Sequence, residues 1–147
     1  MLILNQNIIT LLNDDALRTF PDECCGFLLG REIDNDRIID EIIIVNNAKE
    51  GDKKRRFEIS PLDYLQAEKA ADESGLTLLG IYHSHPNHPS IPSEHDRVAA
   101  QPFFSYLIIS VIQDEIVSYQ SWTLNDEFQF EEEQVLIEEQ IETIKQN

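Results

Sequence analysis

The chain reads as a single layered α/β (α+β) domain around a mixed sheet. Three observations predict this. Strand-like and helix-like runs alternate irregularly along the 147 residues, with no internal repeat and no low-complexity linker between them. The run "LTLLGIYHSH" (76–85) is apolar through most of its length, as expected of a strand covered on both faces. Two pairs of apolar runs are separated only by the turn signals "DND" and "QDE", which favour hairpins.

From Asn7 to Phe20 the residues Ile8, Leu11, Leu12, Ala16 and Leu17 recur at helical spacing, and Pro21 ends the pattern. "CGFLLGREI" (25–33) and "RIIDEIIIVNN" (37–47) predict the first hairpin. A short strand at "RFEIS" (56–60) then leads into a helix over "SPLDYLQAEKAADESG" (60–75). Ser60 suits its N-cap, Pro61 its first helical position and Asp63 a capping-box-like start, with Gly75 closing it. After the central strand and a Pro-rich loop, "SEHDRVAAQ" (93–101) predicts a short helix, stopped by Pro102. "FSYLIISVI" (104–112) and "EIVSYQSWTL" (115–124) predict the second hairpin, and "EFQFEEE" (127–133) an edge strand. Glu131 to Asn147 is acidic, with Ile137, Ile141 and Ile144 on one helical face. That spacing predicts a helix docked on the domain or on a second subunit, so a homodimer is one expectation. The resulting division is a domain over 1–125 and an acidic strand/helix extension over 126–147.

Composition narrows the function classes. With 28 acids against 11 bases the net charge is −17, so binding to nucleic acid or to an anionic membrane is not expected. The basic run Lys53 to Arg56 reads as a solvated loop or as a guide for an acidic partner. The longest apolar run, Phe103 to Ile112, is too short to cross a bilayer, and "MLILNQNIIT" lacks the basic start of a signal peptide. A cytoplasmic address follows. Cys24 and Cys25 are adjacent, where a disulfide would strain the backbone, so buried thiols in a reducing compartment are expected.

The chemistry concentrates in "GIYHSHPNHPSIPSEHD" (80–96), which holds all four histidines. His83 and His85 share one face of a strand end, with Cα atoms roughly 6.5 to 7 Å apart, close enough to converge on one ion. Asp96 follows in the first turn of the next helix, where its carboxylate can swing back. Two nitrogens and one oxygen leave a fourth position open, the pattern of a catalytic zinc site. A blander reading also exists: "SEHD" is a capping box between Ser93 and Asp96, and two histidines can sit at a strand end for no chemical reason. His88 reads as loop surface, and His95 as solvent-facing or supporting the site.

"HSHPNHPSIPSEHD" resembles the H-x-H-x7-S-x2-D signature of the JAMM/MPN+ metalloprotease family. His83, Ser84 and His85 open it, and Ser93 and Asp96 complete it. The family also carries an upstream glutamate before a Gly-bearing apolar strand, and "PDECCGFLLG" supplies Glu23 in that context. "RRFEISPLDY" is similar to the short prokaryotic members, so the resemblance runs from about Pro21 to Trp122. It implies a JAMM-type domain, a curved mixed β-sheet flanked by helices, with cytidine-deaminase-like architecture. It implies one Zn2+ per chain held by His83, His85 and Asp96, with Glu23 as general base and Ser93 as oxyanion donor. The implied reaction is zinc-dependent hydrolysis of a peptide or isopeptide bond at the Gly-Gly-like C-terminus of a ubiquitin-like or sulfur-carrier protein. The alternative is a metal-free MPN-type scaffold that binds partners and cleaves nothing. A zinc deaminase is excluded, since no H-x-E and no later P-C-x-x-C is present.

Overall fold

Eight strands form one mixed sheet in the order β7-β6-β5-β4-β2-β3-β1-β8. The computed structural model describes residues 1–47, 51 and 57–138. In chain order the elements are β1 (Leu2–Asn5), α1 (Gln6–Thr19), β2 (Cys25–Ile33), β3 (Asp36–Val45), α2 (Pro61–Ser74), β4 (Thr77–Pro86), α3 (Glu94–Ala99), β5 (Ser105–Ile112), β6 (Glu115–Leu124), β7 (Phe130–Glu133) and β8 (Val135–Glu138).

The helix starts follow their caps. Asn5 accepts from the Ile8 N–H at 2.9 Å to open α1, and Ser60 accepts from the Asp63 N–H at 3.2 Å to open α2. Gly75 ends α2 in the left-handed region at φ 70°. Both expected hairpins form, β2–β3 and β5–β6, each antiparallel. Gln113 and Asp114 both have positive φ, the turn geometry that matches the twist of two strands joined by a two-residue loop.

β7 and β8 lie at opposite ends of the strand order, yet only Gln134 separates them in sequence. Two peptide units span at most about 7 Å, so the two edges of the sheet must curl round to meet. The Leu2 N–H donates to the carbonyl of Gln134, the residue at that corner, at 2.8 Å. α1 packs inside the curl against β1, β3, β5, β6 and β8, burying Ile8, Leu12 and Ala16 with Leu28, Tyr82 and Leu107. α2 covers the other face of β4, where Phe27, Leu29, Ile81 and Tyr106 pack with Ala67 and Ala71. Between β2 and its neighbours the backbone runs close: a Cβ on Gly26 would lie 2.3 Å from the Ile43 carbonyl and 2.4 Å from the Tyr82 ring.

Two expectations need correction, and one strand was unforeseen. Phe130–Glu133 form the expected edge strand, but Val135–Glu138 are strand rather than helix, because they pair with β1. Phe57–Ser60 form no strand; the Glu58 N–H is taken by the Asn47 side chain at 2.9 Å instead of by a ladder. The first strand, Leu2–Asn5, was not expected, since its parallel partners β3 and β8 are remote in sequence. The basic run 53–56 and residues 139–147 lie outside the described residues. Among the described residues no helix is long and apolar enough to cross a membrane.

Candidate metal centre

The antiparallel register of β2 against β4 pairs Cys25 with His83. Carrying that register two residues further sets Glu23 opposite His85, on the same face as His83, which is how residues sixty positions apart in sequence meet. β4 supplies the two imidazoles, buried to 0% and 7% exposure. The Pro-rich loop then folds back, and α3 begins with Ser93 as N-cap and Asp96 as its third residue. Ser93 Oγ accepts from the Asp96 N–H at 3.1 Å, and Asp96 Oδ2 accepts from the Ser93 N–H at 2.9 Å, so the expected capping box is formed. The cap and the site are compatible: the box aims one Asp96 oxygen at the strand end.

His83 Nε2 and His85 Nε2 are 3.2 Å apart, His85 Nε2 and Asp96 Oδ2 3.2 Å, and His83 Nε2 and Asp96 Oδ2 3.4 Å. A tetrahedral zinc with arms of about 2.0 to 2.1 Å has ligand–ligand edges of about 3.3 Å. The triangle fits that figure. His85 Nδ1 lies 2.8 Å from the Pro89 carbonyl, which can only accept, so this nitrogen carries a proton, and in the neutral ring Nε2 keeps its lone pair. Such a lone pair facing a carboxylate oxygen is unfavourable without a cation between them. The ring of His83 is fixed differently, stacked on Phe57 with centroids 4.4 Å apart.

Glu23 is 2% exposed, and with His83 and His85 it offers three ligand atoms all within 4.8 Å of one another, a group able to hold a metal. Two overlapping sets of three therefore share the imidazoles. Asp96 Oδ2 lies at the tetrahedral edge length from both rings, and a Glu23 carboxylate oxygen lies within 4.8 Å of them. Ser93 is exposed and lines, with Glu23, His85, His88, Pro89 and Ile91, a cavity of about 450 Å³. A second cavity of about 270 Å³ touches His83 and Asp96 from the other side, walled by Phe57, Ile59, Tyr64 and Tyr106.

Burial holds His83 below the ordinary histidine range, although Asp96 pulls the other way. Burial alone would raise Asp96, yet His83, His85 and the Ser93 N–H together hold its carboxyl well below the usual range. The Ser93 N–H is the contributor that donates whatever the protonation of the rings. A neutral imidazole and an ionised carboxylate are the forms that bind a metal.

All five expected residues, Glu23, His83, His85, Ser93 and Asp96, are thus brought together. Phe57 against His83, and the Pro89 carbonyl that orients His85, were not foreseen; neither has a spacing signal in the sequence. His88 is exposed, and Cys24 and Cys25 are buried free thiols, as expected.

Residues 5–125 match the family described as prokaryotic homologs of the JAB domain. The chain belongs to that family. Among relatives of this JAB-family chain, the desampylase of Pyrococcus furiosus is 30% identical over 116 residues, 79% of this chain and 76% of that protein. The "probable TtuB-protein conjugate cleaving protease" of Thermus thermophilus is 36% identical over 92 residues, 63% of this chain and 58% of that protein. The CysO-cysteine peptidase of Mycobacterium tuberculosis is 30% identical over 111 residues, 75% and 73%. A Desulfitobacterium hafniense protein solved in solution superposes with a TM-score of 0.84 at 30% identity, covering 98% of this chain and 97% of that one. A JAB1/MPN domain protein from Archaeoglobus fulgidus shares the fold, with a TM-score of 0.60 at 17% identity over 93% and 96% of the two chains. The curled mixed sheet flanked by helices is therefore the JAB1/MPN fold.

Proposed function

We propose that this JAB-family chain is a zinc-dependent peptide or isopeptide hydrolase acting at the C-terminus of a ubiquitin-like or sulfur-carrier protein. The observation that carries the reading is the triangle of His83 Nε2, His85 Nε2 and Asp96 Oδ2, with edges of 3.2 to 3.4 Å beside the buried Glu23 carboxylate. The names of its relatives, a desampylase, a conjugate-cleaving protease and a peptidase, support a hydrolase within the family.

His83, His85 and Asp96 would hold one zinc, which supplies Lewis acidity and can lower the pKa of a water from 15.7 toward about 7. The remaining duties fall to the chain. Glu23 accepts the proton of the attacking water and returns it to the departing amine, a role that contributes typically about 10² to 10⁴ in rate. Ser93 donates its hydroxyl to the oxygen on which charge develops. Its Oγ already accepts the Asp96 N–H, and a hydroxyl has separate donor and acceptor capacity, so capping and catalysis do not compete. Since the departing nitrogen must come within reach of Glu23, the leaving group occupies the cavity of about 450 Å³ that Glu23 and Ser93 line. A Gly-Gly-like tail suits the approach, having no side chains to carry past the buried ligands.

The test is to purify the chain, measure zinc by elemental analysis, and incubate it with ubiquitin-like and sulfur-carrier precursors and conjugates, weighing the products by mass spectrometry. We expect about one zinc per chain and release of the group beyond the tail. Glu23→Gln should keep the metal and lose turnover by the factor of about 10² to 10⁴ given above. Full turnover by Glu23→Gln would remove Glu23 from its role, and a chain that binds no zinc would leave the scaffold reading in its place.

A further inference from the structure

Glu23 lies two residues before β2, so the register of β2 on β4 sets which residue it faces while the ladder itself stops short of it. Something else must hold its carboxylate within reach of the imidazoles. The next peptide group offers the answer. The Cys24 N–H donates to Ser84 Oγ at 2.8 Å in a fully buried contact, and the Ser84 N–H returns a bond to the Cys24 carbonyl at 3.2 Å. At the other end of the same peptide plane, the Glu23 carbonyl receives a longer bond of 3.4 Å from Asn47 Nδ2. Asn47 in turn accepts the Glu58 N–H at 2.9 Å, linking this plane to the segment that carries Phe57.

Ser84 is the residue between the two histidines. Alternation along β4 turns its side chain away from His83 and His85, toward the face that holds Tyr82 and Cys24, and it is 0% exposed. It therefore touches neither ligand through its side chain. What its hydroxyl does is fix the orientation of the Glu23–Cys24 peptide plane from behind.

We infer that Ser84 is a positioning residue for Glu23: its hydroxyl, assisted by Asn47, locks the peptide plane that aims the glutamate at the metal site. This rests on the reading of Glu23 as the proton carrier. Displacing a reacting group by about 1 Å can cost about 10²-fold in rate. A lock on one peptide plane is thus enough to matter without touching substrate.

The experiment compares the zinc-loaded chain with Ser84→Ala, Ser84→Thr and Asn47→Asp. Ser84→Ala should keep its zinc and its KM while kcat falls about 10- to 100-fold. Ser84→Thr retains the hydroxyl and should recover most of the loss. Asn47→Asp keeps the acceptor for Glu58 but loses the donor to Glu23, and, being on a half-exposed residue, serves should the buried variants fail to fold; kcat should fall with zinc retained. Amide hydrogen exchange provides a readout independent of turnover: the Cys24 N–H should exchange faster in Ser84→Ala while the Phe27 and Leu28 amides of β2 keep their protection. Residual cleavage in the Glu23→Gln background separates positioning from bulk stability. There Ser84→Ala should subtract nothing further, since two residues acting through one group are not additive. Equal fold-losses in both backgrounds, an unchanged kcat in Ser84→Ala, or an unaltered Cys24 exchange rate would each overturn the inference. If Glu23→Gln itself retains full turnover, it is instead the role of Glu23 that fails, and the Cys24 exchange rate still reports whether the lock exists.

Discussion

His85 Nε2 and Asp96 Oδ2 lie 3.2 Å apart while the opposite ring nitrogen of His85 is tied to the Pro89 carbonyl at 2.8 Å. In the neutral ring this leaves Nε2 as the nitrogen with the lone pair, and it is the one that meets a carboxylate oxygen. Two electron-pair donors held face to face in a buried setting define a cation site more sharply than the spacing of histidines does. Asp96→Ala should therefore lose the metal, and turnover with it. It should also lose the half of the capping box that the Asp96 side chain supplies, while the backbone N–H of residue 96 still reaches Ser93 Oγ, a cost of about 0.5 to 1.5 kcal/mol. Elemental analysis checks the first effect and thermal unfolding the second; a variant that keeps stoichiometric zinc would remove Asp96 from the ligand set.

Metal removal should leave a chain whose stability falls on acidification. Burial lowers His83 in the folded state, so its contribution is complete above the unfolded value of about 6.5 and is lost as the pH falls toward the folded one. Asp96, also lowered, contributes above an unfolded value of about 3.9 and fails only at lower pH. Between about pH 7 and pH 5 the decline therefore belongs to His83. Urea midpoints of the chelator-treated chain should drop across that window, and His83→Asn should flatten the slope. An equally steep slope in that variant would assign the decline elsewhere.

Much of this site was legible in the sequence, and the reason is local. His83 and His85 sit two apart on a strand, and Ser93 and Asp96 three apart at a helix start; both geometries are set by neighbouring backbone. Glu23 was legible only through family resemblance, since its meeting with His85 depends on the β2–β4 register, a pairing across sixty residues. The same limit explains the misreading of residues 135–138. Ile137, Ile141 and Ile144 have helical spacing, yet Val135–Glu138 pair with β1, a partner that no local pattern announces. Phe57 likewise lies in a strand-like run, but its ring is spent on His83 and its neighbour's N–H on Asn47.

The two cysteines should be chemically silent in the folded chain. Burial, reinforced by the charges of Asp15, Glu23 and Asp63, pushes the Cys25 thiol up to about 12, and burial beside Asp15 raises Cys24 as well. The thiolate is the reactive form, so a thiol reagent at about pH 8 should label neither residue until the chain unfolds, and then both. The sign for stability follows: the contribution is whole below the unfolded value of about 8.5 and is lost as the pH rises through the folded one. Mass spectrometry of the labelled native chain checks this, and rapid native labelling would place a thiol at the surface.

Ser93 joins two duties that substitution can separate. Its Oγ accepts the Asp96 N–H at 3.1 Å, which opens α3 and aims the carboxylate, while its own hydrogen is left to donate into the cavity shared with Glu23 and His85. Ser93→Ala removes both functions. Loss of the cap should cost about 0.5 to 2 kcal/mol of stability, and loss of the donor about 10²- to 10³-fold in kcat. Ser93→Thr retains acceptor and donor and should recover most of each. The informative comparison is Ser93→Asp, which still caps the helix but has no hydrogen to give when ionised. It should fold with a normal unfolding temperature and remain as slow as Ser93→Ala. If Ser93→Asp turns over like the unsubstituted chain, the hydroxyl contributes through the cap alone, and charge on the substrate's carbonyl oxygen must be met by another group.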